Sequence, residues 1–331
     1  MAAVRLGQYG TKHSHAAGKL AALRSNSDVE LVGVWEPDPQ RRRDLEGADG
    51  PYRDVHWFRD ATEMLTDPSI VAIASEGCNS ESLGQTEEIV RAGKHVWYDK
   101  PAGDSWDHWQ RVTALVVERN VFIQMGYMFR YHAGFQRMAE WAHSGLLGEI
   151  FAVRAHMSTQ LSPPEREVIS RHAGGIFYDL AGHMLDQIVW LLGRPHGVTA
   201  FLRNDSGIVP SFSDNTLGVF EFEHAIAFVD IAAMETMPTA RRFEVYGSRG
   251  SAIMEPFEPV GPIRLCLYEA TAEYRHGLQL ITVEERSRQR LYELELAAFI
   301  AALRGAKQPD RGPRHDLLVQ ETLLRATGGM R

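Results

Sequence analysis

Two domains of different class are predicted for this 331-residue chain. The first is a doubly wound, Rossmann-type α/β domain with a parallel sheet over residues 1–126. The second is an α+β domain with an open, mostly antiparallel sheet over residues 127–331. Three observations carry this. The length exceeds the roughly 150 residues typical of one domain. The first half alternates short apolar runs with amphipathic segments of helix length, as a parallel sheet covered on both faces requires. The second half strings apolar and alternating runs together without intervening helices, as an antiparallel sheet with one wet face requires.

In the first domain, Val4–Leu6 is a short apolar run that stops at Gly7. Val29–Trp35 (VELVGVW) and Ile70–Ala74 (IVAIA) are continuous apolar runs, which suit strands buried on both faces. Helices are expected over Ala16–Arg24 and Glu81–Ala92, the second stopped by Gly93. His95–Tyr98 begins another strand, Ser105 caps a helix that runs to Asn120, and Val121–Met125 returns to strand. In the second domain, strands are expected over Gly148–Thr159, Val198–Arg203, Thr216–Met234, Arg242–Met254 and Ile263–Tyr268. Two helices close the chain, Arg290–Arg304 and His315–Thr327. The domains meet near Gly126–Arg130, with no repeat or Pro/Ser-rich linker.

Composition excludes several function classes. There are 35 basic and 43 acidic residues, a net charge of −8. A general nucleic-acid binder would show a basic excess, and an acidic chain has no attraction to anionic membranes. A chain of this length buries about 75% of its unfolded surface and needs no disulfide or metal staple. Cys78 and Cys266 are too few for a Cys-rich metal site and point to a reducing compartment. None of the 14 histidines has a clear ligand spacing, so no metal is expected. The opening MAAVRLGQ lacks a charged-then-apolar leader, and the longest apolar stretch, Ala225–Met234, carries Asp230 and is too short to span a bilayer. The expectation is a soluble, cytoplasmic protein.

In a doubly wound sheet, ligands lie beyond the carboxyl ends of the strands, where the strand order reverses. The first strand here runs into Gly7-Gln8-Tyr9-Gly10-Thr11-Lys12-His13-Ser14-His15. A G-x-G-x-x-G fingerprint would put glycines at 7, 9 and 12, yet Tyr9 and Lys12 hold two of those places. Gly10 can relieve the turn, amides at the helix start can bind phosphate, and Lys12 adds positive charge. An ordinary strand-to-helix turn fits the same residues. Glu36 closes the second strand, where a carboxylate can accept from the ribose hydroxyls and repel a 2′-phosphate. That favours NAD over NADP, a solvated strand-end carboxylate being the alternative.

The segment His172–Gly193 (HAGGIFYDLAGHMLDQIVWLLG) is apolar around most of a helix, so it should be largely buried. Asp179, His183 and Asp186 nevertheless fall at i, i+4 and i+7 on one face. Titratable groups on a buried helix are costly unless partnered. They therefore face a polar cleft or one another. Gly174-Gly175 ahead of them suggests unusual dihedrals or close backbone approach. A second candidate is Tyr98-Asp99-Lys100-Pro101, at the carboxyl end of a buried strand. A desolvated lysine there can donate to a substrate oxygen; a lysine snorkelling to the surface is the alternative.

Together these motifs resemble the Gfo/Idh/MocA oxidoreductases, the relatives of glucose–fructose oxidoreductase and inositol 2-dehydrogenase. Gly93-Lys94-His95-Val96 leading to Asp99-Lys100-Pro101 is similar to the stretch holding that family's Glu-Lys-Pro motif. Gly174-Gly175 with Asp179, His183 and Asp186 is similar to its G-G-x-x-x-D-x-x-x-H-x-x-D helix. Phe129-Arg130-Tyr131 after a sixth strand, and His15 on the first helix, match as well. The resemblance implies a Lys100–Asp179–His183 catalytic set. It also implies NAD held by residues 7–12 (Gly7, Gln8, Tyr9, Gly10, Thr11, Lys12), Glu36, Asp99, Lys100 and Asn79, the last following a fourth strand. The second sheet would carry substrate on one side and pair subunits through the other, giving a homo-oligomer.

Five positions depart from the family pattern. Tyr9 and Lys12 replace fingerprint glycines, Asp99 stands for Glu, Ser82 for a frequent His, and His132 for Asn or Asp. Arg130, His132, His156, Arg171, His172 and Asp186 are the candidate substrate contacts. The leading expectation is an NAD-dependent dehydrogenase of a sugar, polyol or related secondary alcohol. The alternatives are a redox-neutral sugar-modifying enzyme that retains its cofactor, of glycosidase or lyase type, and a non-catalytic ligand sensor.

Overall fold

The computed structural model describes residues 2–330. The elements are, in chain order, β1 (Val4–Tyr9), α1 (Ala16–Ser25), β2 (Val29–Trp35), α2 (Pro39–Glu46), α3 (Ala61–Thr66), β3 (Ala72–Ser75), α4 (Ser82–Arg91), β4 (His95–Tyr98), α5 (Trp106–Glu118) and β5 (Ile123–Met125). A 3-10 turn (Met128–Tyr131) leads to α6 (Ala133–His143), β6 (Ile150–His156), α7 (Pro163–Ile169), α8 (Ile176–Leu192), β7 (Gly197–Arg203), β8 (Asn215–Glu221), β9 (Ile226–Ala232), β10 (Arg242–Gly247), β11 (Gly250–Met254), β12 (Ile263–Leu267), β13 (Gly277–Ile281), α9 (Arg288–Leu303) and α10 (Pro313–Thr327). No helix among the described residues is long and apolar enough to cross a membrane.

The chain forms two compact units. One comprises the residues up to Met128 together with Ser287–Arg314, and the other Phe129–Arg286 together with the tail from His315. The single boundary expected near residue 126 therefore gives way to three crossings, because α9 belongs to the first unit. A Cβ on Gly18 of α1 would lie 2.7 Å from the Tyr292 ring of α9, so only glycine lets these helices approach so closely. Gln289 Nε2 donates to Gly18 O at 3.1 Å and fixes that approach.

In the first unit, five strands pair entirely in parallel in the order β2-β1-β3-β4-β5. All four residues of β3 are buried, as a strand covered on both faces requires. The chain leaves β1 for β2 on one side and returns to β3 on the other, so the strand order reverses between β1 and β3. Three sequence expectations shift. The first strand runs to Tyr9 rather than stopping at Gly7. The sheet has five strands, so Asn79 follows the third and Phe129-Arg130-Tyr131 follows the fifth. Helix α2 carries too few apolar residues to show a period, but Asp38 accepts from Gln40 N and Arg41 N and Pro39 opens its first turn. Ser105 caps α5 as expected, accepting from His108 N.

In the second unit, eight strands follow the order β13-β12-β11-β10-β6-β9-β8-β7. Every pair is antiparallel except β6 with β9. The long run Thr216–Met234 is two strands, turned back where Phe222 N donates to Ala225 O. Arg242–Met254 likewise splits at Ser248-Arg249. Val153, Ala155, Val229, Ile231, Val245 and Ala252 are buried on one face. The opposite face exposes Ile226, Leu278 and Leu280. Helix α8 is buried along most of its length, as its all-round apolar character demands.

Candidate active site

The residues at the carboxyl ends of β1 and β3 form one end of the parallel sheet. Gly7 is not a phosphate-approach glycine: a Cβ there would strike Met64 Sδ at 2.7 Å, so it serves helix packing. The turn glycine is Gly10, with φ +83° and an added Cβ only 2.7 Å from Gly77 N. Gln8, fully buried, donates through Nε2 to Gly10 O (2.9 Å) and Tyr52 Oη (3.0 Å), which sets the turn. Tyr9 is buried and donates to Glu88 at 2.9 Å. Its side chain thus lies against α4 instead of filling a phosphate-approach position. Lys12 is exposed, 3.4 Å from both Asp38 and Glu81.

Glu36 is buried at the end of β2. It accepts from Thr11 Oγ1 (2.7 Å) and from Asp38 N (2.9 Å). A carboxylate offers about four acceptor positions, so two remain for ribose hydroxyls. Asn79 is half-buried just beyond β3.

Behind this turn lies a buried ionic cluster. Lys19, on the second turn of α1, has its Nζ 3.1 Å from both Glu76 Oε1 and Asp99 Oδ2, and 4.4 Å over the Trp97 ring. Asp99 also faces His15 Nδ1 at 3.0 Å and His13 Nδ1 at 3.2 Å. The ligand atoms of His13, His15 and Asp99 lie within 4.8 Å of one another, and the Lys19 ammonium supplies the cation beside them. Burial would raise the Asp99 carboxyl, but the groups at His13, His15 and Lys19 outweigh it and hold Asp99 well below the usual range. Burial pushes His15 down to about 4, against the pull of Asp99. Lys100 is only 3% exposed. Its backbone N–H donates to Asp99 Oδ1 (2.8 Å), and its C=O accepts from His13 Nε2 (3.2 Å). Lys19 and Glu76 escaped the sequence reading. The signal for Lys19 was a lysine on the apolar face of Ala16–Arg24. The signal for Glu76 was a carboxylate two residues beyond the apolar run Ile70–Ala74.

In the second unit, Gly175 (φ +51°) immediately precedes α8, where a Cβ would meet Ser213 O at 2.5 Å, and Gly174 has φ +90°. The expected close approach is therefore present. Asp179 and His183 are one turn apart on α8. Asp179 is half-buried, and His183 is buried with its ring 5.0 Å from that of Phe129.

The six candidate substrate contacts divide. Asp186 accepts from Arg130 Nε (3.1 Å) and Nη2 (2.8 Å), and lies 2.8 Å from His315 Nε2. Arg130 also reaches Asp316 at 2.5 Å. This network is buried and holds α8, α10 and the 3-10 turn together. His132 caps α6: its Nδ1 accepts from Gly134 N and Phe135 N, and its Nε2 donates to Phe257 O at 2.9 Å. Both ring nitrogens are used, which leaves none for a substrate. His156 is paired in register with Arg242, while its neighbour Ala155 belongs to the buried face. Alternation along the strand therefore puts His156 on the open face. There it bridges Asp230 (2.5 Å) and Glu235 (2.7 Å), whose hydrogen bonds raise its pKa. His172 stacks on Tyr178 at 4.6 Å, and Arg171 is exposed.

A strand reversal, a tight glycine turn beneath a helix start, and a strand-end carboxylate with spare acceptor positions fit the adenosine and pyrophosphate parts of a nicotinamide dinucleotide. These features define the first unit as a dinucleotide-binding α/β domain. Residues 6–127 match the model of the oxidoreductase family with an NAD-binding Rossmann fold, and residues 135–253 match the GFO/IDH/MocA C-terminal domain. The chain belongs to the Gfo/Idh/MocA family of oxidoreductases.

Among curated relatives, the chain is 26% identical over 311 residues to scyllo-inositol 2-dehydrogenase (NAD(+)) of Bacillus subtilis, covering 92% of this chain and 85% of that protein. It is 27% identical over 207 residues to the uncharacterized oxidoreductase YrbE of the same organism, where the match spans 60% of each chain. Among solved structures, biliverdin reductase from Synechocystis sp. PCC 6803, in complex with biliverdin and NADP+, superposes with a TM-score of 0.77. That match has 20% identity and covers 98% of both chains.

Proposed function

We propose that this oxidoreductase is an NAD-dependent dehydrogenase acting on the secondary alcohol of a sugar, polyol or related compound. The observation that carries the reading is the placement of Lys100: nearly buried at the carboxyl end of β4, with both flanking peptide groups held by Asp99 and His13. With its main chain held and its side chain nearly buried, this lysine is suited to polarising a substrate oxygen. In this reading His183 takes the hydroxyl proton. Asp179, one turn before it, orients the imidazole and stabilises its charged form. Bound nicotinamide supplies the hydride acceptor; this chain's residues bind, align and move the proton.

Glu36 gives the preference for NAD, because a 2′-phosphate beside its carboxylate would meet like charge and lose two acceptor positions. The 26% identity to a scyllo-inositol 2-dehydrogenase favours cyclic polyols within the substrate class. The uncovered sheet face with Ile226, Leu278 and Leu280 is read as the surface through which subunits pair, in a cytoplasmic homo-oligomer. A panel of inositols, aldoses and their ketone products, assayed with NAD or NADH, tests the reaction. Reduced nicotinamide should accumulate with at least one cyclic or linear polyol. Protein that binds NAD but turns over nothing in either direction would reject the dehydrogenase reading.

A further inference from the structure

We propose that Glu76 is a positioning residue for Lys100, and that its proton state is transmitted to the Lys100 peptide through Lys19, Asp99 and His13. The assignment rests on the reading of Lys100 as the group that meets the substrate.

Nothing in the sheet requires a carboxylate at this position. Residues 72–75 of β3 are apolar or small, and Glu76 follows them fully buried at the point where the strand order reverses. Its main chain already ties the region together: Glu76 N donates to Tyr9 O (2.8 Å), and its C=O accepts from His13 N (3.0 Å). The side chain adds two routes to one target. Oε1 is 3.1 Å from Lys19 Nζ, which is 3.1 Å from Asp99 Oδ2, and Asp99 Oδ1 accepts from Lys100 N. Oε2 lies 3.9 Å from His13 Nδ1, and the same ring donates through Nε2 to Lys100 O. Both peptide groups flanking Lys100 thus end in a cluster that Glu76 completes.

The cluster is closed and short of donors. A Cβ on Gly126 would lie 2.8 Å from Asp99 Oδ1 and 2.9 Å from Lys19 Nζ, so backbone seals that side. Oε2 of Glu76 has no hydrogen-bond donor among the described residues. The remaining groups facing it are the Glu295 carboxyl on α9, which acts on Lys19, and the phenols of Tyr52 and Tyr292. The Lys19 ammonium therefore serves both the Glu76 and the Asp99 carboxyls. Burial pushes Glu76 up to about 7, against the pull of Lys19. When Glu76 ionises, Lys19 is shared between two carboxylates and His13 faces a second charge. When Glu76 is protonated, Asp99 holds Lys19 alone.

Between its ordinary value of 4.5 and about 7, native Glu76 keeps a proton that the unfolded chain has released, so its contribution falls as pH rises through that window. His15, lowered to about 4, acts oppositely between 4 and 6.5, so the two separate above 6.5. E76Q should therefore gain melting temperature relative to the parent as pH rises from 4.5 to about 7, His15 being common to both proteins.

The direct test uses the whole protein labelled with 15N-lysine, and needs no substrate. The Lys100 amide resonance should shift with a midpoint near pH 7, and E76Q should abolish that step. A Lys100 amide that titrates identically in E76Q, or does not titrate at all, overturns the proposal. If E76Q does not fold, 13C-labelled glutamate in the parent decides: Glu76 carboxyl and Lys100 amide should share one midpoint, and different midpoints refute the coupling. Turnover retained by K100M would instead remove Lys100 from the reaction while leaving this coupling standing, so the two failures are distinguishable.

Discussion

Replacing Lys100 with methionine, or His183 with alanine, is expected to lower turnover by about 10²–10⁴-fold each. Nucleotide affinity should change little. Methionine keeps most of the lysine stem, and the backbone contacts of Lys100 with Asp99 and His13 do not involve its side chain. The fold should therefore survive, and the loss should fall on the chemical step. For His183 the proton acceptor disappears while the glycine turn and Glu36 are untouched. Steady-state kinetics beside calorimetric titration of the dinucleotide separate the two effects. Near-normal turnover in either variant would remove that residue from the catalytic set.

Replacing Arg130 with methionine should destabilise the protein by about 3–5 kcal/mol, because it strands buried carboxylates without their cation. The Arg130, Asp186 and Asp316 side chains are 3%, 0% and 4% exposed, so solvent cannot replace the lost partner. Burial already raises the Asp316 carboxyl despite Arg130, and removal of the cation would leave it with no compensation from that side. Converting Asp186 and Asp316 to leucine in the same variant should recover much of the loss, since an apolar replacement of a whole buried ionic group is often neutral. Urea midpoints of the single and triple variants measure both. A single variant as stable as the parent would show that the network contributes nothing to the fold.

Much of the architecture was readable from the chain. Continuous apolar runs such as Ile70–Ala74 announce strands with no wet face, and that signal survives without tertiary information. The i, i+4, i+7 spacing of Asp179, His183 and Asp186 was equally plain, but spacing could not assign roles. Asp186 turned out to be held by Arg130 and His315, which come from distant parts of the chain. The same limit applies to His132. Histidine is not among the usual helix caps, so the amphipathic run Phe135, Met138, Trp141 that it opens was missed. For His156, a single residue of register decides which face of a sheet it meets, and its partners there, Asp230 and Glu235, stand more than 70 residues away. Lys19 and Glu76 were hidden for a further reason: a buried charge is recognised only by its partners, and these stand 57 residues apart.

The most direct measurement is calorimetric titration of NAD and NADP into the protein and its Glu36→Ala variant. NAD should bind saturably, NADP more weakly, and NAD affinity should fall when the carboxylate is removed. Failure of both dinucleotides to bind, or tighter binding of NADP than of NAD to the unaltered protein, would contradict the proposed NAD dependence.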